Sequence, residues 1–432
     1  MKGMSKFQII LTAIFGAFIL IGVLVFSFGQ SSKSDEIAKA TIWGTMSNST
    51  FSNFLKESGL DQDKLLKITY VEKRKDTFDQ DFIEALAVGK GPDLFFLPQD
   101  SILKHEDKIF PIPYASFSER MFKDAFIEES ELYLTQNGIL GLPFMVDPMV
   151  MYWNRDFFTS AGLSVPPKSW SDMYDLSTRL TVRDSSLNIS KGTLAFGEYN
   201  NVANANELIG LLIMQAGNPI TTRGADGESI NNLFSQRFDA PIAPTIQAVN
   251  FYTEFANPLK PFYTWNRSLP NSKVFFLSSD LAIYFGFASE LADIRLKNPN
   301  LNFAVAPIPQ SKDATRTTTF GRMVALAIPK NSQNVAGAYA VALKMTNATS
   351  LTAMTRVTNL PPVRRELLAI RPTEAFMSVF YDGAIQSRAW LSPEPAKLSP
   401  IFKEMVESLT AGRANTLQVV SKANEQLNIV LK

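Results

Sequence analysis

Residues Ile9 to Phe28 read IILTAIFGAFILIGVLVFSF, twenty positions without one charged side chain. A helix rises about 1.5 Å per residue, so this run matches the roughly 30 Å hydrocarbon core of a bilayer. Lys2 and Lys6 precede it, which by the positive-inside rule keeps the N-terminus in the cytoplasm and sends the remaining chain outward. A cleaved signal peptide is the competing reading. Against it stand the length of the apolar run and the segment FSFGQSSKS, which offers no small-x-small cleavage site. The expected layout is a cytoplasmic segment at 1–8, a single transmembrane anchor or uncleaved signal at 9–28 that meets the lipid bilayer, and a short stalk at 29–39.

The chain has 432 residues, and single hydrophobic cores stop growing near 250 to 300, so at least two compact units are expected. It contains no cysteine and one histidine, His105, which removes disulfides, thiolate nucleophiles and zinc–thiolate or iron–sulfur sites. Without cysteine no thioether-linked lipid can form, so membrane attachment rests on the peptide itself. His105 lies in LKHEDK, amid charges, and is expected on the surface with no clustered partner for a metal. A formal net charge of +1 without a long basic block argues against nucleic acid as a partner. Serine-hydrolase chemistry needs a base beside the hydroxyl, and a lone histidine outside any G-x-S-x-G context does not supply one. A glycosidase needs two carboxylates at a fixed separation, for which Asp147, Asp280, Glu290 and Asp382 are the candidates. No catalytic residue, cofactor or metal is expected.

Along the exported part, short apolar runs alternate with helical patterns, which predicts an α/β organisation with a parallel sheet. Ala40–Trp43 reads as a strand, and the polar turn 45–49 caps a helix carrying Phe51, Phe54 and Leu55. Leu65–Val71 follows as a strand with Ile68 and Tyr70 buried. Residues 77–88 form a helix that stops at Gly89-Lys90-Gly91-Pro92, a terminator rather than a phosphate loop. Asp93–Leu97 is the third strand. Ligands of such sheets sit beyond the carboxyl ends of the strands, so the turns after Trp43 and Leu97 face a common crevice. Further strands are predicted at 149–153, 303–309 and 320–328, with helices at 205–216, 244–255, 400–409 and 419–431. Ser169 is the expected N-cap of a helix carrying Trp170, and 221–232 is an expected surface loop.

The chain has 33 Phe, 11 Tyr and 5 Trp. Most Phe residues are expected in the core, and Trp170 in packing. Trp43, Tyr152, Trp153, Trp265, Tyr284 and Trp390 lie at loop junctions or amid polar residues, where an aromatic face can stack on a sugar ring while carboxylates and amides bind its hydroxyls.

In order along the chain, TIWG at 41–44, GKGPDLFFLP at 89–98, NGILGLPFMVDPMVMYWNRDFF at 137–158, PPKSWSDM at 166–173, FAVAPIPQ at 303–310 and TTTFGRMVALAIPK at 317–330 form a recognisable series. The chain resembles bacterial extracellular solute-binding proteins of the maltose-binding type, the substrate-binding proteins (family 1) of ABC importers. SSDLAIYFGFASE at 278–290 occupies the place of an aromatic segment of that family, with Tyr284 and Phe287 but without its usual methionine and tryptophan. The resemblance implies a two-lobe periplasmic-binding-protein fold of type II, with discontinuous lobes at 40–146 plus 322–370 and at 147–321 plus 371–432. It places a hinge at Val146, Asp147, Phe320 and Gly321, and ligand contacts at Trp43, Asp100, Asp147, Tyr284 and Trp390. The implied partners are a small solute, with the aromatics favouring a saccharide, and the permease subunits of an ABC transporter. The reading from another class is a surface sensor or adhesion protein that keeps the scaffold without transport.

Overall fold

The computed structural model describes residues 38–235 and 242–431. The segments expected at 1–8 and 9–28, and nearly all of the stalk, lie outside the described residues. Among the described residues no helix is long and apolar enough to cross a membrane.

Ten strands form one sheet. They are β1 (Ala38–Gly44), β2 (Leu66–Glu72), β3 (Leu94–Pro98), β4 (Leu142–Asn154), β5 (Val182–Arg183), β6 (Ile189–Leu194), β7 (Leu281–Phe287), β8 (Phe303–Ala306), β9 (Thr319–Ala327) and β10 (Ser387–Arg388). The order is β2-β1-β3-β9-β4-β7-β6-β5, with β8 also paired to β4 and β10 to β9. β1 pairs in parallel with β2 and β3, as the alternation of strand and helix predicts. Four consecutive residues of β3, Leu94 to Leu97, are buried, the pattern of a central strand with both faces covered. Gly44 ends β1 where a Cβ would stand 2.2 Å from the Phe96 ring, so glycine is required there.

The helix Asn48–Ser58 begins at Ser47, whose Oγ accepts from the Thr50 N–H at 3.2 Å, and ends at Gly59 with φ +72°. The helix Phe78–Ala87 is followed by Gly89 at φ +67°, where the glycine–proline run predicts a stop. Both helices bury a pair of phenylalanines, Phe51 with Phe54 and Phe78 with Phe82.

Side chains pack into two separate hydrophobic cores. The first draws on Ile42, Phe54, Phe95 and Val146, and later on Met323, Val341 and Leu368. The second draws on Met149, Tyr152, Phe196, Phe285, Phe320 and Phe402. Of the described strands, β4 and β9 run unbroken from one core into the other. β4 pairs with β9 in its first half and with β7 and β8 in its second. The segment 380–391 contributes to both cores, Phe380 and Trp390 to the second, Ala384 and Leu391 to the first. Its helix, Ala375–Gln386, approaches the crossing closely at Gly383, where a Cβ would lie 3.0 Å from Pro148.

Four expectations are corrected. His105 is 1% exposed, not solvated: its Nε2 lies 2.8 Å from Asp79 Oδ1 and its ring meets Phe82 edge-on. The short helix Ile102–His105 turns Ile102 and His105 to the same inner side while the neighbouring charges face outward, and burial holds the imidazole below its usual range. Ile68 and Tyr70 are only half-buried, because β2 is the edge of the sheet. Residues 221–232 are not a plain loop but contain a hairpin, Thr221–Arg223 with Ser229–Asn231. The helix after Pro167 starts at Asp172, since the Ser169 N–H donates to Asp172 Oδ2 at 3.1 Å and folds Ser169 and Trp170 into a preceding turn.

The buried Gln99, just past β3, ties the first core to the crossing strand. Its Nε2 donates to Gly321 O at 2.6 Å and its Oε1 accepts from Met323 N at 2.8 Å. Gln99→Leu leaves both backbone groups unpaired in the interior and should cost about 2 to 4 kcal/mol of stability, read as a lower denaturant midpoint at unchanged slope.

Candidate functional site

Asp147 of β4 and Arg322 of β9 are direct partners across the crossing strands, so their side chains share one face. Arg322 Nε donates to Glu207 Oε1 at 3.1 Å, its Nη2 donates to Asn204 Oδ1 at 3.2 Å, and its guanidinium lies 3.7 Å from the centre of the Phe287 ring. Asn204 sits in the left-handed region at φ +59°, immediately before the helix Ala205–Gln215. That strain positions its amide, whose Nδ2 lies 3.3 Å from Glu290 Oε1 and 3.4 Å from the Tyr284 hydroxyl. Tyr284 donates to Glu290 Oε2 at 2.8 Å, and Lys273 Nζ pairs with the same oxygen at 2.7 Å. Asp147 Oδ1 accepts from the Ser289 N–H at 2.9 Å.

The first core supplies Asp100, two residues beyond the carboxyl end of β3, where a parallel sheet presents its binding edge. Desolvation raises its carboxyl, while Lys75 and Arg322 pull the other way. Desolvation likewise raises Asp147 to about 6, against the Ser289 N–H and Arg322. The result is a polar face of alternating donors and acceptors, built from elements of both cores and centred on the strands that join them. Such a surface suits a ligand with several hydroxyls, each of which both donates and accepts. Among the described residues no group of three or more His, Asp or Glu is placed to hold a metal.

Of the residues singled out from the sequence, Asp100, Asp147 and Tyr284 belong to this face. Tyr284 is 2% exposed and works through Glu290 and Asn204 rather than as an open platform. Trp43, at the end of β1, packs half-buried on the first core with the Lys73 ammonium 3.9 Å over its ring. Of the four carboxylates weighed as a catalytic pair, Asp147 and Glu290 feel each other's charge, whereas Asp382 is paired with Arg371. At the crossing, Val146 belongs to the first core and Phe320 to the second, with Asp147 and Gly321 between.

The opposite face of the crossing is different. Strand alternation turns Gly321 away from Arg322, and a Cβ on Gly321 would lie 1.9 Å from Glu129 Oε2. Glu129 is 2% exposed, and burial pushes it from 4.5 to about 8 despite Arg388 and the Ser387 hydroxyl nearby. It stands in the wall of a cavity of about 830 Å³ that also includes Trp390, itself 4% exposed. Trp390 therefore lies on the reverse face from Asp147.

Sequence reasoning missed Gln99, Glu129, Asn204, Glu207 and Arg322. Arg322 stands one residue from the expected hinge glycine in FGRM, and its charge inside an apolar strand was the available signal. Asn204 carried only the tolerance of Asn for positive φ, and nothing local marked Glu129.

Two cores joined by crossing strands, with a polar face at the junction, define an α/β protein of two packed bodies. The chain belongs to the bacterial extracellular solute-binding proteins, whose family model matches residues 52–376. It is 26% identical over 209 residues to the sn-glycerol-3-phosphate-binding periplasmic protein of Pectobacterium atrosepticum, covering 45% of this chain and 43% of that relative. The chain thus spans less than half the length of the curated relatives it matches. Its fold is shared with the cyclic alpha-maltosyl-1,6-maltose binding protein of Arthrobacter globiformis, at TM-score 0.73 and 15% identity over 91% of this chain and 99% of that one. It is shared also with the maltose-maltodextrin binding protein of Alicyclobacillus acidocaldarius, at TM-score 0.66 and 15% identity over 90% and 100%.

Glu129 gives the fold a pH dependence. Between pH 4.5 and about 8 the native state keeps a proton that the unfolded chain has released, so stability falls as pH rises through that window and is flat on either side. The loss amounts to at most about 5 kcal/mol. Glu129→Gln, which stays neutral, should flatten the slope of unfolding free energy across that window. An unchanged slope means that the carboxyl is not held neutral.

Proposed function

We propose that this protein captures a small, hydroxyl-rich solute, most simply a sugar or oligosaccharide, in the groove between its two cores, and delivers it to the permease of an ABC importer without chemical change. The observation that carries the reading is the crossing of β4 and β9 between two independently packed cores, with Asp100, Asp147, Asn204, Glu207 and Arg322 gathered on one face. Two bodies joined by a few strand residues can close on a ligand with small backbone changes at Val146–Pro148 and Phe320–Arg322. The saccharide ligands named for the proteins of like fold support the same reading. The apolar run Ile9–Phe28 would hold the molecule at the outer face of the cell membrane as a single-pass anchor, with everything beyond it outside the cytoplasm.

Arg322 already holds Glu207 and Asn204, so a solute hydroxyl inserted there inherits an oriented donor–acceptor pair rather than having to order one.

A thermal-shift screen of sugars, polyols, amines and amino acids should find a saccharide that raises the melting temperature, because a ligand bound only by the native state stabilises it by mass action. Arg322→Ala should then weaken that saccharide by about tenfold or more at little cost in stability. No shift from any compound at millimolar concentration counts against the solute-binding reading, and undiminished affinity in Arg322→Ala removes this face from the site.

A further inference from the structure

Besides sharing the crossing strands, the bodies built on the two cores meet through side chains. The hairpin Thr221–Arg223 with Ser229–Asn231 belongs to the second body: Ile220 and Leu233, which flank it, lie in the second core, and Asn231 Nδ2 donates to Asn424 O at 2.9 Å. Its other side meets the first body. Arg223 grips both oxygens of Glu106, each at 3.0 Å, and Gln136 Nε2 donates to Ala225 O in the hairpin turn. Glu106 follows the short helix Ile102–His105 and Gln136 follows Tyr133, and both Ile102 and Tyr133 lie in the first core.

Lys104, on the same short helix, makes a second link. Its Nζ lies 2.8 Å from Asp79 Oδ2 of the first body and 2.5 Å from Glu394 Oε2. Glu394 is the N-cap residue of the helix Pro395–Thr410, whose Leu398, Ile401 and Phe402 lie in the second core. Beyond Thr221 no residue of the hairpin is buried, so apolar burial does not seat it, and a two-stranded hairpin has little stability of its own. Beside Arg223 the bodies are parted by the cavity of about 830 Å³, walled by 128–132 of the first and 214–223 of the second. Polar, loosely packed contacts of this kind let domains part and rejoin, whereas a large apolar interface fixes them as one unit. The four charged partners are nonetheless half-buried, which shields them better than an open surface pair.

We propose that this hairpin is a clasp: the Arg223–Glu106 pair, seconded by Lys104–Glu394, holds the two bodies at the angle described here. Both pairs must part before the bodies can swing relative to one another about β4 and β9. Lys104 and Glu106 lie on the segment that continues from Asp100, so releasing the clasp also frees the first body's contribution to the polar face. The consequence for solute capture rests on the function proposed above. The clasp itself does not, and its test needs no solute.

The chain has no cysteine, so Lys90→Cys on the first body and Lys260→Cys on the second, both exposed positions, give the full chain two labelling sites for single-molecule fluorescence energy transfer. At low salt one narrow efficiency peak is expected. Raising NaCl from about 0.01 M to about 1 M, which cuts the screening length from about 30 Å to about 3 Å, should broaden or shift that peak. Arg223→Met, which keeps an apolar stem and removes the guanidinium, should do the same without added salt. Glu106→Gln tests the pair from its other side should Arg223→Met fail to fold. Arg74→Met breaks the exposed Arg74–Asp76 pair within the first body and should leave the peak in place. A native peak already broad at low salt, a peak that salt does not move, a peak that both clasp variants leave unchanged, or an equal change in Arg74→Met would each overturn the clasp. Broadening in the clasp variants of a chain that binds no saccharide would keep the clasp and remove the solute reading.

Discussion

The pairing of β4 with β9 is the constraint from which the rest of the molecule follows. Each strand begins in one core and ends in the other, so their shared ladder is at once the spine of the sheet and the joint between two bodies. Register decides what the joint presents. With Arg322 opposite Asp147 and Met323 opposite Val146, charge falls on one face and apolar packing on the next residue. A slip of one position would bury the guanidinium and expose the methionine. Gln99 guards against that slip by bonding to the backbone on both sides of Arg322.

The two faces of the joint treat carboxylates differently. On the groove face Asp100 and Asp147 are desolvated yet remain near cations, a peptide N–H or both. On the reverse face Glu129 is fully buried, and the Ser387 hydroxyl and Arg388 offset only part of the desolvation. A desolvated acid with several charged or peptide partners is ready to trade them for a ligand. One whose neighbours leave burial largely uncompensated is held neutral instead.

Much of this was legible in the residues themselves. DLFFL read as a strand, and the runs at 149–153 and 320–328 could be placed as strands from their apolar side chains. The turn after Trp43 and the stop at Gly89 followed from backbone chemistry alone. What periodicity could not supply was position within the sheet. Ile68 and Tyr70 look like core until β2 is known to be an edge, and His105 looks solvated until the short helix around it is seen to turn inward. The groove was readable only in part for the same reason. Asp100 and Asp147 stand beside strand ends that the sequence announces, whereas Asn204, Glu207 and Arg322 meet only because residues more than a hundred positions apart are brought together.

Neither core is made from one continuous stretch. The first gathers residues from Ala40 through Leu391, and the second from Met149 through Leu427. A ribosome must therefore release almost the whole polypeptide before either interior can seal, and contacts so distant along the chain form slowly. During that interval the chain stays threadable, which is the condition a protein must meet if it is to pass through a narrow translocation channel before it folds.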